Sequence, residues 1–405
     1  MWPKLSKKYS EGYDERRGAE SAEKIASFRG RRPFWIHGVS VGEVQACVPL
    51  IRAAREAGFD GPVVLSTTTE TGRAMAQRLG EGLFDAHIYY PWDKSAFVKS
   101  AVSALNPWAF ATAETELWPN MLWCLRDAGI PRFLVNGRIS DRTWKRLSGP
   151  VGRRVGRELY ELFTNIFLRD ERDAERLRGI GVAESSLRVF GDSKIDALLA
   201  RRNPASRDSW IERLGQPERR IFMAGSTHEG EDEKVMEAFD ILRASDPKAR
   251  LIIAPRHPER AAEVEKLAAC KYEVCRASRI FSGWDVLVVD KIGVLFDLYG
   301  VSTAAFVGGS FADKGGQNIL EPVSWGVPVQ YGPHMEDFAA ASAEFLRMGI
   351  ASQVSDGAEL GRIWTDIVQN SDNDIKYKQI SKDYFARTAG AAAKTWNEII
   401  KFYGR

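Results

Sequence analysis

The apolar positions of this chain fall into short continuous runs, separated by stretches in which apolar residues recur every three or four positions. The first run, FWIHGVSV (34–41), reads as a buried strand, and GEVQACVPLIRAAREAG follows with Val44, Cys47, Val48, Ile51 and Ala54 at helical spacing. PVVLSTTT (62–69) precedes a helix through Arg73 to Leu79, and AHIYYPW precedes one over 95–105. PWAFATAE (107–114) leads to LWPNMLWCLRDAG, and FLVNGR (133–138) to a basic helical segment. NIFLRD (165–170) and LRVFGD (187–192) close the first half.

A polar stretch, ARRNPASRDSW (200–210), reads as a linker, and the pattern restarts beyond it. RIFMAGST leads to a helix from residue 229 or so, ARLIIAPR to one from 258, and then come DVLVVD, GVLFDLYG, TAAFVGGS, NILEPVSWG, VPVQYG and helices to the end. Alternating strands and helices with short connections predict an α/β protein with parallel, doubly wound sheets. The expectation is two Rossmann-like domains facing a central cleft. An acceptor-side domain spans 1–200, a nucleotide-side domain spans 201–385, and a last helix (386–405) packs back on the first domain. A hinge falls near 195–215, and ligands are expected at the carboxyl ends of the strands, against helix N-termini.

Composition narrows this picture. A chain of 405 residues with 44% hydrophobic and 27% charged residues can bury two real cores, and a net charge of +3 is too weak to argue for nucleic acid. The distribution of charge says more. Arg138, Arg142, Lys145, Arg146, Arg153, Arg154 and Arg157 face a single acid, Asp141, across one segment. Such a run is either a solvated face or the footprint of an anionic lipid or phosphate partner. Cys47, Cys124, Cys270 and Cys275 form no C-x-x-C pair, which fits a reduced cytoplasm and excludes a cysteine-based zinc site. No apolar run is long enough to span a bilayer, whereas Trp2 and Trp144 beside basic residues suit peripheral attachment.

Candidate chemistry gathers at predicted strand ends. Glu43, in Ser40-Val41-Gly42-Glu43, stands in the first turn of a helix, as a complement to its dipole or as a general base. Glu114 and Glu116 follow an apolar run; paired carboxylates there suit acid–base work, although Thr115 or Glu116 can cap the next helix, which is the better reading for Glu116. Gly225 to Glu231 form a hydroxyl-rich turn that either cradles phosphate on backbone N–H groups or simply caps a helix. Arg256, in Pro255-Arg256-His257-Pro258, suits a phosphate, or else a surface ion pair. Lys194 lies at the domain junction, either meeting an anionic substrate or merely solvated. The densest signal is Gly308-Gly309-Ser310 with the loop from Gly315 and Gly316 to Glu321, whose N–H groups are expected to face a nucleotide phosphate while the Glu holds ribose hydroxyls. No His, Asp and Glu set has metal-ligand spacing, so a metal-free site is expected, with Arg, Lys and helix N-termini meeting the leaving phosphate.

In this order W-I-H-G-V-S-V-G-E (35–43), E-T-E-L-W-P (114–119), G-S-T-H-E-G-E (225–231), A-P-R-H-P-E-R (254–260), G-G-Q-N-I-L-E-P (315–322) and V-P-V-Q-Y-G-P-H (327–334) resemble one family over nearly the whole chain. It is the bacterial 3-deoxy-D-manno-octulosonic acid (Kdo) transferases, glycosyltransferases of GT-B fold. The resemblance implies inverting transfer of Kdo from CMP-Kdo to the 6-hydroxyl of a lipid A precursor, in lipopolysaccharide synthesis, with no cofactor beyond the donor. It implies that Glu43 accepts the proton and that Glu114 and Lys194 support the transition state. CMP is then held by Pro255, Arg256 and His257, by the Ile292-Gly293-Val294 turn, and by Asn318, Ile319, Leu320 and Glu321. Two positions depart from the pattern: Gln317, where relatives carry His, and Asp192-Ser193, where they carry Asn-Leu, which puts an extra carboxylate beside Lys194. Relatives usually carry a hydrophobic N-terminal anchor, whereas this chain starts at a basic segment (Lys4, Lys7, Lys8, Arg16, Arg17). Either such an anchor has been removed from ahead of this segment, or the protein attaches peripherally to an anionic surface, the cytoplasmic face of the inner membrane. The alternatives are a GT-B transferase using a UDP-sugar, a UDP-sugar 2-epimerase, which has no need of the basic segment 138–157, and a binding module, against which the intact carboxylates count.

Overall fold

The computed structural model describes residues 11–19, 24, 28, 30–215, 220–370 and 373–404, so Trp2, Lys4, Lys7 and Lys8 lie outside the described residues. The chain divides into two units, one of Met1–Ala197 with Thr388–Arg405 and one of Leu198–Arg387.

In the first unit β1 (Phe34–His37), β2 (Val63–Thr67), β3 (Ala86–Tyr89), β4 (Ala109–Ala113), β5 (Arg132–Gly137), β6 (Asn165–Leu168) and β7 (Leu187–Val189) form a parallel sheet. Their order is β3-β2-β1-β4-β5-β6-β7, with Phe34 opposite both Val63 and Ala109. Every residue of β1, β2 and β4 is buried, because helices cover both faces; this is why the apolar runs are continuous. On one face Phe34, Ile36 and Ala111 pack against Val44, Cys47, Val48 and Ile51 of the helix Val41–Glu56. On the other, Trp35, Val64 and Phe110 pack against Val98, Met121 and Leu125. The C-terminal helix Ala391–Ile399 joins the first of these cores, with the Trp396 ring 5.5 Å from Phe34 and 5.0 Å from Phe59. Asp196 fastens that return: its carboxylate accepts from Gly390 N at 2.6 Å and Ala392 N at 2.8 Å.

The second unit repeats the plan. β8 (Ile221–Thr227), β9 (Arg250–Pro255), β10 (Val274–Arg276), β11 (Val286–Val288), β12 (Ala304–Val307), β13 (Val329–Tyr331) and β14 (Ala351–Gln353) run in the order β10-β11-β9-β8-β12-β13-β14, again all parallel. Its core joins Phe222, Ala224, Ile253 and Phe306 to Val235, Phe239, Leu242 and Trp364. In each sheet the strand order reverses at one place, between β1 and β4 and between β8 and β12. Loops leave these neighbours in opposite directions, which opens a crevice at the carboxyl ends.

Several expectations are corrected. The first strand stops at His37, because Ser40 already caps the helix that starts at Val41. The stretch 200–210 is not a linker: Asn203 Oδ1 accepts from Ala205 N at 3.0 Å, Pro204 opens a helix to Leu214, and Trp210 and Leu214 bury its inner face. The segment GVLFDLYG holds the short helix Leu295–Tyr299. The short strands β10 and β14 lie at the two edges of the second sheet, where few apolar residues mark them. β14 also interrupts what had read as helices to the end.

Asp196→Ala leaves two amide N–H groups at a helix start without their acceptor. It should destabilise the protein by about 1–2 kcal/mol in urea unfolding; an unchanged midpoint would show that the return segment is held without this carboxylate.

Candidate active site

The crevice of the first unit gathers the predicted acids. Glu43 is the third residue of the helix Val41–Glu56, and its Oε2 accepts from Ser40 N at 3.0 Å and from the Ser40 hydroxyl. Glu43 therefore closes a capping box with Ser40 at the start of the helix. Glu114 follows β4 in the left-handed backbone region (φ 59°), an unfavourable conformation for a residue with a Cβ and one that clusters at functional sites. It binds the ammonium of Lys194 at 2.5 Å. Lys194 Nζ also lies 3.9 Å from the place a Cβ on Gly42 would take, so the helix bearing Glu43 and the Lys194–Glu114 pair are neighbours. The extra carboxylate, Asp192, turns away from the ammonium: it accepts from Lys194 N at 2.9 Å and meets Arg169 at 3.5 Å.

Glu116 is not the helix cap. Asp93, distant in sequence, caps the helix Pro119–Asp127 by accepting from Asn120 N at 3.1 Å and Met121 N at 2.9 Å. Freed of that role, the Glu116 carboxyl is held by burial and by the charges of Glu43 and Glu114, which raise its pKa to about 7. Beneath it His37 is fully buried and stacked 3.7 Å from Tyr90, with Nδ1 3.1 Å from the Ser66 carbonyl; burial lowers its pKa to about 3, so it is neutral.

In the second unit the glycine loop is occupied by the protein itself. Glu231, buried behind β8, accepts from Gly309 N at 2.7 Å, His228 N and Phe311 N at 2.8 Å, Ser310 N at 3.0 Å and Ala312 N at 3.2 Å. The expectation that the Gly309 amide faces a phosphate is therefore corrected, and so is that for Gly316, whose N–H is spent on the Gly309 carbonyl at 2.9 Å. The turn at 225–231 supplies this carboxylate. Arg256 and His257 leave the end of β9 with exposed side chains, and Arg256 N is tied to the Thr227 carbonyl. The His257 and His228 rings are 6.2 Å apart, and a Cβ on Gly309 would lie 3.4 Å from His228, so these residues are brought together. Ile292 is 82% exposed beside Gly293 (φ 92°) and Val294, which lead into the helix Leu295–Tyr299. Asn318 caps its own turn on Leu320 N, Ile319 is buried, and Glu321 pairs with Arg201 at 2.9 Å.

Among the described residues one set has ligand atoms close enough for a cation, Asp313, His334 and Glu336, all within 4.8 Å. Its members come from two loops, which is why sequence spacing passed over it. Sequence reasoning also missed Asn136 (φ 53°), whose Oδ1 accepts from Ser193 N at 2.9 Å and so sets the start of the helix bearing Lys194. An Asn at the end of a buried strand was the available signal. No helix among the described residues is long and apolar enough to cross a membrane.

Two parallel sheets with ligand crevices at their carboxyl ends define a GT-B architecture. Solved structures agree on the fold: a UDP-GlcNAc 2-epimerase from Neisseria meningitidis (TM-score 0.61, 14% identity, 91% of this chain and 99% of that one) and a glycosyltransferase from Rickettsia africae (0.58, 11%, 93% and 100%). The family model for 3-deoxy-D-manno-octulosonic acid transferase matches residues 11–197. The 3-deoxy-D-manno-octulosonic acid transferase of Chlamydia trachomatis is 32% identical over 92% of this chain and 86% of its own length. That of Bordetella pertussis is 30% identical over 96% and 90%. The chain belongs to the Kdo transferase family, and it is a glycosyltransferase that moves Kdo.

The folded protein holds the Glu116 proton more tightly than the unfolded chain does. The resulting stability is complete below the ordinary value of 4.5 and is lost as pH rises through about 7. Glu116→Gln has no such dependence, so its stability relative to the wild type should rise by about 1–3 kcal/mol between about pH 4.5 and about pH 8. A difference that stays constant across that window in urea unfolding would contradict the raised carboxyl.

Proposed function

We propose that the enzyme transfers Kdo from CMP-Kdo to the 6-hydroxyl of a lipid A precursor with inversion, without a divalent cation, at the anionic cytoplasmic face of the bacterial inner membrane. The observation that carries this reading is the first-unit crevice, where Glu43 stands beside the Lys194–Glu114 pair at the point where the strand order reverses.

Glu43 takes the proton of the acceptor hydroxyl as its oxygen forms a bond to the anomeric carbon from one side. The bond from that carbon to the phosphate oxygen breaks on the other side, and CMP departs with the electron pair. A positioned base of this kind contributes about 10²–10⁴-fold. Two hydrogen bonds from Ser40 hold the Glu43 carboxylate in place. Lys194 meets the sugar's carboxylate, and Glu114 keeps its ammonium in place. Arg256 and His257 receive the leaving phosphate, and the amides at residues 309–312, engaged by Glu231, shape the loop rather than bind it. The Ile292-Gly293-Val294 turn and Asn318 to Glu321 hold the base and ribose. Arg201 leaves the second Glu321 oxygen for a hydroxyl.

Glu43→Ala should lower turnover by about 10²–10⁴-fold while CMP affinity, read by calorimetry, stays near that of the wild type; near-normal turnover would remove Glu43 as the base. Treatment with EDTA should leave the rate unchanged. Inhibition reversed by a divalent cation, and abolished with it in Asp313→Asn, would instead put a cation at the Asp313, His334 and Glu336 cluster.

A further inference from the structure

At the amino ends of β8, β12 and β13, the end of the second sheet opposite Arg256 and His257, lies a cavity of about 550 Å³. Ile221, Thr303 and Val327, at or just before the starts of these strands, line its floor. The helix Pro204–Leu214 contributes Ile211 and Leu214, and the start of the helix Asn373–Thr388 contributes Tyr377 and Lys378. Gly326 (φ 77°) lets that second helix come close: a Cβ there would stand 3.1 Å from Lys378 Cα. The volume falls within the range of about 300–1,000 Å³ common to small-molecule sites.

The lining is divided between apolar and charged groups. Ile211, Leu214, Val301 and Ile367 supply branched apolar side chains, and Arg207, Arg220 and Lys378 supply cations against one acid, Asp374. Lys378 pairs with that acid at 2.6 Å, Arg207 with its neighbour Asp208 at 2.6 Å, and Arg220 reaches Asp246 only at 3.5 Å. Exposed pairs of this kind hold their members weakly, so the cations are free to turn to an incoming anion. Trp325, which also lines the cavity, has its indole N–H buried with no acceptor among the described residues. A buried donor without a partner is the exception in folded proteins, and a ligand acceptor would satisfy it.

Two short helices join this cavity to the other end of the sheet. Leu295–Tyr299 starts at the Ile292-Gly293-Val294 turn and ends at Gly300, and Leu320–Ser324 starts just after Asn318 and ends at Trp325. Gly300 and Trp325 both line the cavity. The helices meet through Phe296 and Trp325, whose rings are 5.6 Å apart, and at Gly300, where a Cβ would stand 2.9 Å from the Trp325 ring. Each helix is about 7.5 Å long, so a displacement at one end is carried to the other.

We propose that this cavity is a second ligand site, for a small organic anion with an apolar body, and that its filling changes the affinity for nucleotide at the far ends of the two helices. The apolar side chains take the body, Arg207 and Arg220 take the negative charge, and Trp325 transmits the occupancy. The coupling rests on the reading in which the Ile292-Gly293-Val294 turn and Asn318 to Glu321 hold the base and ribose; the site itself does not.

The test uses the full chain and anilinonaphthalene sulfonate, an organic anion whose fluorescence rises when it leaves water. The wild type should bind it at one saturable site. Arg207→Gln with Arg220→Gln should weaken that binding about tenfold, and Ile211→Trp, which fills the cavity from a position 38% exposed, should remove it. Circular dichroism separates a lost site from a lost fold. In calorimetry, saturating sulfonate should shift the CMP dissociation constant by about fivefold or more, and CMP should shift that of the sulfonate by the same factor. Ile211→Trp should bind CMP as the wild type does without the probe, and should lose the shift. Absence of sulfonate binding, or wild-type binding by both folded variants, would overturn the site. Displacement by CMP that grows without limit would also overturn it, since probe and nucleotide would then share one place. An unchanged CMP constant with the cavity filled would overturn the coupling. If the sulfonate binds as expected and the chain takes up no CMP, the site stands and the nucleotide reading fails.

Discussion

A parallel sheet with helical crossovers ends in loops whose amide N–H groups have no partner in the ladder, and each needs an acceptor. In this chain carboxylates supply many of them. Glu231 takes five amides behind β8 and β12, Asp93 two at the helix Pro119–Asp127, Asp196 two at the returning helix, and Glu43 the amide of Ser40. Three of these acids are wholly structural. Glu43 differs because, among the described residues, only its Oε2 is engaged and because it stands where the strand order of the first sheet reverses. One device, a carboxylate at an amide cluster, therefore builds the loops and also places the Glu43 carboxylate in the crevice.

The charges around Glu43 complete this account. Three carboxylates, Glu43, Glu114 and Glu116, share a crevice with one ammonium, Lys194. They cannot all ionise at equal cost. Glu114 takes the lysine, Glu43 takes the serine donors, and Glu116 is left to hold its proton up to about pH 7. Burial of a neutral His37 below them adds no positive charge that would disturb this division. The second unit shows the opposite economy: the amides of residues 309–312 are satisfied from within by Glu231, whereas Arg256 and His257 keep exposed side chains.

Much of this was legible in the sequence. Continuous apolar runs marked the buried parallel strands because both faces of each sheet are covered, and helical spacing marked the helices that cover them. Glu43 and Glu114 were legible as candidates because strand ends are where such folds place chemistry, and Lys194 joined them only through the family resemblance. What stayed hidden depends on contacts between residues far apart in sequence. Nothing near Asp93 announces that it caps a helix 26 residues on, so Glu116 was read as the cap. Nothing in Gly308-Gly309-Ser310 tells a phosphate cradle from one filled by Glu231, since the same amides serve both. The 200–210 stretch looked like a linker because its polar residues outnumber Trp210 and Leu214, yet Asn203-Pro204 was a helix start in plain view.

The central claim is that the protein places Kdo on a lipid A precursor. The direct measurement is an incubation with CMP-Kdo generated in situ and a tetraacylated lipid A precursor, followed by mass spectrometry of the lipid. The account predicts a mass gain of one or more Kdo units, absent when Glu43→Ala replaces the wild type. A folded enzyme that binds CMP and leaves the lipid mass unchanged would contradict it.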